Sequence, residues 1–115
     1  MDDETGTARD LVLELQQQGE IATVTMRGEL GAFTAPELAD LCGSVFAQGA
    51  REVVIDLRET SFLDSSGLRV LIGARQLFTG DGGTVRLAHP NESVVRLLAI
   101  TGLSDYFSID EGPTG

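Results

Sequence analysis

The chain has one cysteine, one histidine and no lysine, and its eight cations, all arginines, face eighteen acidic residues. A single cysteine, Cys42, forbids an internal disulfide and predicts a reducing, cytoplasmic setting. One cysteine and one histidine cannot assemble the usual zinc centres. The carboxylates are scattered, without the spacing of an EF-hand loop. No metal and no other cofactor is expected. The shortage of cations, a net charge of -10, removes the basic surface that direct DNA or RNA binding needs. It disfavours anionic membrane surfaces for the same reason. No apolar run approaches the ~18–20 residues that cross a bilayer, so no membrane insertion is expected. The acidic start, Met1-Asp2-Asp3-Glu4, does not read as a signal peptide. Solubility, a basic protein partner and a mainly apolar interface all remain compatible with the acidic balance.

Catalytic patterns are equally sparse. Ser65 or Ser66 can be drawn with His89 and Asp64 as a triad, but the spacing does not support it. No Gly-x-Ser-x-Gly elbow occurs. Gly80-Asp81-Gly82-Gly83 lacks the Gly-Lys-Ser/Thr end of a phosphate-binding loop and reads as a helix-to-strand turn. The chain is not expected to be an enzyme.

What is present is the pattern of one α/β domain. With 115 residues a single core is affordable without staples. The domain is expected over 11–110, with a frayed stretch at 1–10 and a loose end at 111–115. Leu11 to Leu15 and Ile21 to Met26 read as strands joined by a long turn, Gln16-Gln17-Gln18-Gly19-Glu20. Thr34 is placed to cap a helix that has Pro36 in its first turn and Glu37 three residues on. Leu38, Leu41, Cys42, Val45 and Phe46 then share one helical face, with Gly49 as the stop. Cys42 on that stripe reads as a small core residue rather than a redox thiol. Val53 to Leu57 is a nearly continuous apolar run, which fits a central strand covered on both faces. A second helix is predicted from Ser65 to about Phe78, with Leu68, Leu71, Ile72 and Arg75 on one side. A strand follows at Thr84 to Ala88. A short helix carries Val94, Leu97 and Leu98 and ends at Gly102, and a last edge strand covers Phe107 to Ile109. Strand–helix–strand units imply parallel pairing with right-handed crossovers.

The run Phe62-Leu63-Asp64-Ser65-Ser66-Gly67-Leu68 then stands out. It reads as a loop with two hydroxyls where a strand hands over to a helix. Helix N-termini carry unpaired N–H groups and partial positive charge, so a phosphate on such a serine would be stabilised there. On spacing alone Ser65 is as good a helix cap as a phosphoacceptor.

Val54-Ile55-Asp56-Leu57 followed by Asp64-Ser65-Ser66-Gly67-Leu68 resembles the signature of the STAS domain, and more narrowly that of bacterial anti-sigma factor antagonists. Gly28-Glu29-Leu30 with Thr34-Ala35-Pro36 resembles the family's second motif. Pro90 to Arg96 with Thr101-Gly102-Leu103 resembles its third. The resemblance implies a STAS-type mixed β-sheet of four to five strands packed against three to four helices. It implies that Ser65 is the phosphoacceptor of an anti-sigma factor, itself an ATP-dependent serine kinase, and that a PP2C-type phosphatase reverses the reaction. The unphosphorylated form would bind the anti-sigma factor and free a sigma factor. Asp64, Ser66, Gly67, Leu68, Gly31 and Thr34 would form the surrounding motif and partner interface. Two departures accompany the match. Gly31 stands where the family commonly has an acidic residue, and the C-terminal helix of many relatives is expected to be absent or reduced. The alternative is a non-switching STAS scaffold in a stressosome-like assembly or a membrane transporter complex. The oligomeric state is left open, a weak homodimer included.

Overall fold

The computed structural model describes residues 11–110. The frayed N-terminus, the loose C-terminus and the missing last helix expected from sequence lie outside them. Five strands alternate with three helices: β1 (Leu11–Gln18), β2 (Ile21–Leu30), α1 (Ala35–Ala47), β3 (Glu52–Leu63), α2 (Ser65–Thr79), β4 (Thr84–Ala88), α3 (Glu92–Ile100) and β5 (Ser108–Asp110). The strands lie side by side in chain order. β1 is antiparallel to β2, and every later pair is parallel. The expected α/β mixed sheet is therefore present, with three helices among the described residues.

The strand order explains where the helices sit. When parallel strands advance in one direction through right-handed crossovers, each connecting helix falls on the same face. Burial follows: Ala22, Val24 and Met26 on β2, Val53, Ile55 and Leu57 on β3, and Val85 and Leu87 on β4 are buried in alternation. They meet Leu38, Cys42 and Val45 of α1, Leu68, Leu71, Ala74 and Phe78 of α2, and Val94 and Leu98 of α3 in one cluster. Phe46 packs edge-on against Phe78 with centroids 5.1 Å apart. This corrects the expectation of a central strand covered on both faces. β3 is central, but its other face carries Glu52, Val54 and Asp56, only partly buried. A polar network crosses that face, where Arg27 pairs with Glu14 and Glu59 at 2.9 Å each.

Four element bounds differ from expectation, the smallest being the last strand, which runs Ser108–Asp110 rather than Phe107 to Ile109. β1 continues to Gln18, and the hairpin closes with the two residues Gly19 and Glu20 between paired Gln18 and Ile21. Gly19, at φ +62°, supplies the positive φ that tight hairpins demand. The glutamines are strand residues because a solvated edge tolerates them. β2 extends past Met26 to Leu30, and β3 past Leu57 to Leu63. Register shifts between Thr25 and Arg27 and between Gly28 and Glu29 keep the two strands paired over this length. Such irregularities bend a strand without ending its pairing. α2 buries Gly67, Leu68, Leu71, Ala74 and Phe78. Arg75 instead lies over the Tyr106 ring, 4.1 Å from its centroid.

Cys42 is a core residue, as its position on the α1 stripe predicted. Burial pushes its thiol up from 9.0 to about 11. The folded state thus holds the thiol proton more tightly than the unfolded chain. The stabilisation is complete below about pH 9 and is lost as pH rises to about 11. Unfolding free energies of the wild type and Cys42→Ala, taken from urea titrations between about pH 8 and about pH 11, should converge by roughly 1–3 kcal/mol. Parallel pH profiles would show that the thiol ionises as freely in the fold as outside it.

Candidate functional site

The long pairing of β2 with β3 brings two crossovers together at the C-terminal edge of the sheet, where open α/β folds place their sites. Leu30 pairs with Leu63, so the starts of α1 and α2 are neighbours. The serine motif is consequently not a loop. Phe62 and Leu63 end β3, Asp64 is the junction, and Ser65 already belongs to α2. The cap is Asp64 rather than Ser65 or Ser66. Its backbone is extended, and its Oδ1 accepts from the Ser66 N–H at 2.8 Å and the Gly67 N–H at 3.1 Å. A carboxylate is well suited here, since it satisfies orphan donors and meets the positive end of the helix dipole. The Asp64 N–H donates to Leu30 O at 3.3 Å, tying the cap to β2. Ser65, in the first helical position, is exposed; Ser66 is half-buried.

Gly67 and Leu68 face inward. Leu68 is buried in the core. A Cβ on Gly67 would lie 2.5 Å from Leu30 O and 2.9 Å from both Leu30 Cγ and Leu63 Cδ1. Only glycine lets α2 approach the strand ends this closely.

The opposing segment runs from Glu29 to Thr34. Thr34 does not cap α1 with its side chain. Its backbone is already helical, at φ -105° and ψ -19°, whereas a side-chain cap needs an extended residue. Its hydroxyl instead donates to Glu29 O at 2.7 Å and accepts from the Gly31 N–H at 2.9 Å. The Gly31 carbonyl in turn accepts from the Ala35 N–H at 2.7 Å. Thr34 is therefore a buried clasp of the β2–α1 loop. Gly31 is buried as well, and its missing side chain points at the cap: a Cβ there would lie 3.1 Å from Asp64 Oδ2 and 3.5 Å from Phe62 Cε2. An acidic residue at this position would set a second carboxylate against Asp64. With glycine, a cleft of about 200 Å³ remains, lined by Glu29, Gly31, Phe33, Phe62 and Asp64 among others.

The third segment is split. Asn91 caps α3, accepting from the Val94 N–H at 3.0 Å, and its Nδ2 donates to Thr60 O. That bond ties the start of α3 to the extension of β3. Gly102, at φ +77°, ends α3 at the opposite edge of the sheet. The drawn triad is not assembled. His89 follows Ala88, which pairs with Asp56. The side-chain hydrogen bonds of Asp64 come from Ser66 and Gly67, with none from His89 among the described residues. The Asp64 carboxylate is already engaged by helix amides.

Glu29 and Phe33 were not singled out as site residues from sequence. The available signal was Phe33 itself, an aromatic in a loop of small residues where the chain has only five phenylalanines and one tyrosine.

A family model described as the STAS domain matches residues 12–113. The chain belongs to the STAS domain family. It is 31% identical over 103 residues to an anti-sigma-B factor antagonist of Bacillus subtilis, covering 90% of this chain and 94% of that one. A crystal structure of an anti-sigma factor antagonist from Mycobacterium paratuberculosis superposes with a TM-score of 0.78 at 26% identity, covering 88% of this chain and 86% of that one. The Bacillus cell fate determinant SpoIIAA in its phosphorylated form shares the fold, with a TM-score of 0.70 at 18% identity over 85% of this chain and 90% of that one.

The two glycines of this STAS site give opposite expectations. Gly67→Ala should destabilise the fold by about 1–3 kcal/mol through overpacking against backbone. Gly31→Ala meets the carboxylate of a side chain and should cost under about 1 kcal/mol. Urea unfolding with unchanged m reads both, and equal losses would contradict the difference in packing.

Proposed function

We propose that this STAS domain is an anti-sigma factor antagonist. Its C-terminal sheet edge binds a cognate anti-sigma factor and so releases a sigma factor. The observation that carries the reading is the exposed residue Ser65 in the first turn of α2, in a chain similar over most of its length to an anti-sigma-B factor antagonist. In this reading Ser65 is the phosphoacceptor, and the anti-sigma factor is the ATP-dependent serine kinase that modifies it. A PP2C-type phosphatase removes the phosphate. Asp64 orients the turn, Ser66 contacts the partner, and Gly67, Leu68, Gly31 and Thr34 hold the surface in shape.

The electrostatics favour a switch at the interface over a switch of the fold. A phosphate adds about -1.5 to -2 charges and three acceptor oxygens. The sequence alone offers it the amides of the helix start, but Asp64 already takes those of Ser66 and Gly67. A phosphate on Ser65 would sit beside that carboxylate and remain available to whatever approaches the edge. Docked against an unphosphorylated interface, it would be an unpaired, desolvated charge. A loss of about 3 kcal/mol weakens a complex more than 100-fold, which one such charge can supply.

Anti-sigma factors from the same genome, purified and titrated by calorimetry, test this directly. The wild type should bind one of them, and ATP should add one phosphate at Ser65, detected by mass spectrometry. Ser65→Asp should weaken binding about 100-fold, and Ser65→Ala should bind yet resist phosphorylation. If no anti-sigma factor binds and no phosphate reaches Ser65, the proposal fails. Binding that ignores Ser65→Asp would favour the non-switching scaffold.

A further inference from the structure

We infer that Phe33 is the docking anchor of the Ser65 edge, and that it inserts into an apolar pocket with a basic rim on a protein partner. The inference rests on the reading of this edge as an anti-sigma factor interface, and it names what is gripped there. Phe33 is 96% exposed. Of the other phenylalanines, Phe78 and Phe107 are buried, Phe46 is partly buried against the core, and Phe62 is half exposed. Phe62 and Phe33 line the same cleft beside Gly31 and Asp64. A ring presented in this way is a solvation cost with no return in the isolated domain. Aromatic residues, phenylalanine among them, are enriched at protein interfaces relative to the rest of the surface.

The loop that carries the ring is held before any partner arrives. The Thr34 hydroxyl joins Glu29 O to the Gly31 N–H, and Gly31 O accepts from the Thr34 and Ala35 N–H groups at 3.1 and 2.7 Å. Little order has to be created on binding, which is where preorganised contacts gain affinity. The shape points to a protein rather than a small molecule. At about 200 Å³ the cleft is smaller than the roughly 300–1,000 Å³ of ordinary ligand pockets, and the ring projects outward. The charge of the partner follows from complementarity. Glu29 and Asp64 line the cleft, Glu37 is exposed in the first turn of α1, and the chain carries a net charge of -10. Basic residues around the pocket are the matching rim. Exposed Ile100, at the far end of α3, has no such setting and serves as a control.

The test is calorimetric titration of the purified anti-sigma factors of the host with the full chain and its variants. Phe33→Ala should weaken binding about 30-fold or more, with an unchanged thermal midpoint because the ring touches mainly water. In stopped-flow mixing of the same proteins, Glu29→Lys should slow association about 3- to 10-fold, most strongly at low salt. Ile100→Ala should change nothing. Equal affinity of the wild type and Phe33→Ala, with Ser65→Asp still disruptive, would overturn the anchor and leave the switch standing. Loss with Phe33→Ala but not with Ser65→Asp would keep the anchor and remove the switch. If no anti-sigma factor binds the wild type, both readings fall.

Discussion

The parallel pairing of β2 with β3 out to Leu30 and Leu63 is the constraint from which the rest of this edge follows. It survives two register irregularities, and it sets the starts of α1 and α2 side by side. Leu30 O then becomes the shared reference point. It accepts from the Asp64 N–H, and it lies where only a glycine at 67 can pass. The cap, the helix position and the exposure of Ser65 all depend on that one approach of helix to strand end. Shortening either strand would separate the Gly28-to-Thr34 segment from the serine turn, although each would keep its local structure.

Asp64 shows how a structural cap shapes what its neighbour can do. Its carboxylate completes the helix N-terminus, which otherwise would be the natural resting place for a phosphate. With those amides taken, the chain has no strong internal use for a charge on Ser65. In the proposed reading, a phosphate on Ser65 would then act mainly on whatever docks against the edge. Such a device needs no rearrangement of the core, only a surface that is rigid and a partner whose contacts are close. The Thr34 clasp and the Asn91 bond to Thr60 supply rigidity on either side.

Much of this could be read from residue patterns. The 3.6-residue stripe of α1 placed Cys42 in the core, and alternation placed β4 between its turns. Residue patterns place a cap at the serine motif on Ser65, whereas the capping oxygen belongs to Asp64. A serine and an aspartate are both good caps, and only backbone geometry separates them: Asp64 is extended and Ser65 is helical. Thr34 holds the N-cap position of α1, as expected, but makes no side-chain cap bond. Its hydroxyl serves the buried polar groups of Glu29 and Gly31, which no local pattern announces. The glutamine run reads as a turn from its polarity, and only its pairing with Thr23, Ala22 and Ile21 shows it to be a solvated edge strand.

Composition and local periodicity pointed, without any coordinates, to one α/β unit without an internal disulfide, while the turn around Ser65 stood out through its resemblance to the STAS signature. These are properties of short segments, and short segments carry them alone. Tertiary structure decided which face of the sheet is covered, because that depends on the order and handedness of all crossovers together. It also decided that Gly31 faces Asp64, and that Phe33 stands clear of the core beside Phe62. Those relations join residues distant in sequence through the lengths and register of β2 and β3, which are set by long-range pairing rather than by local propensity.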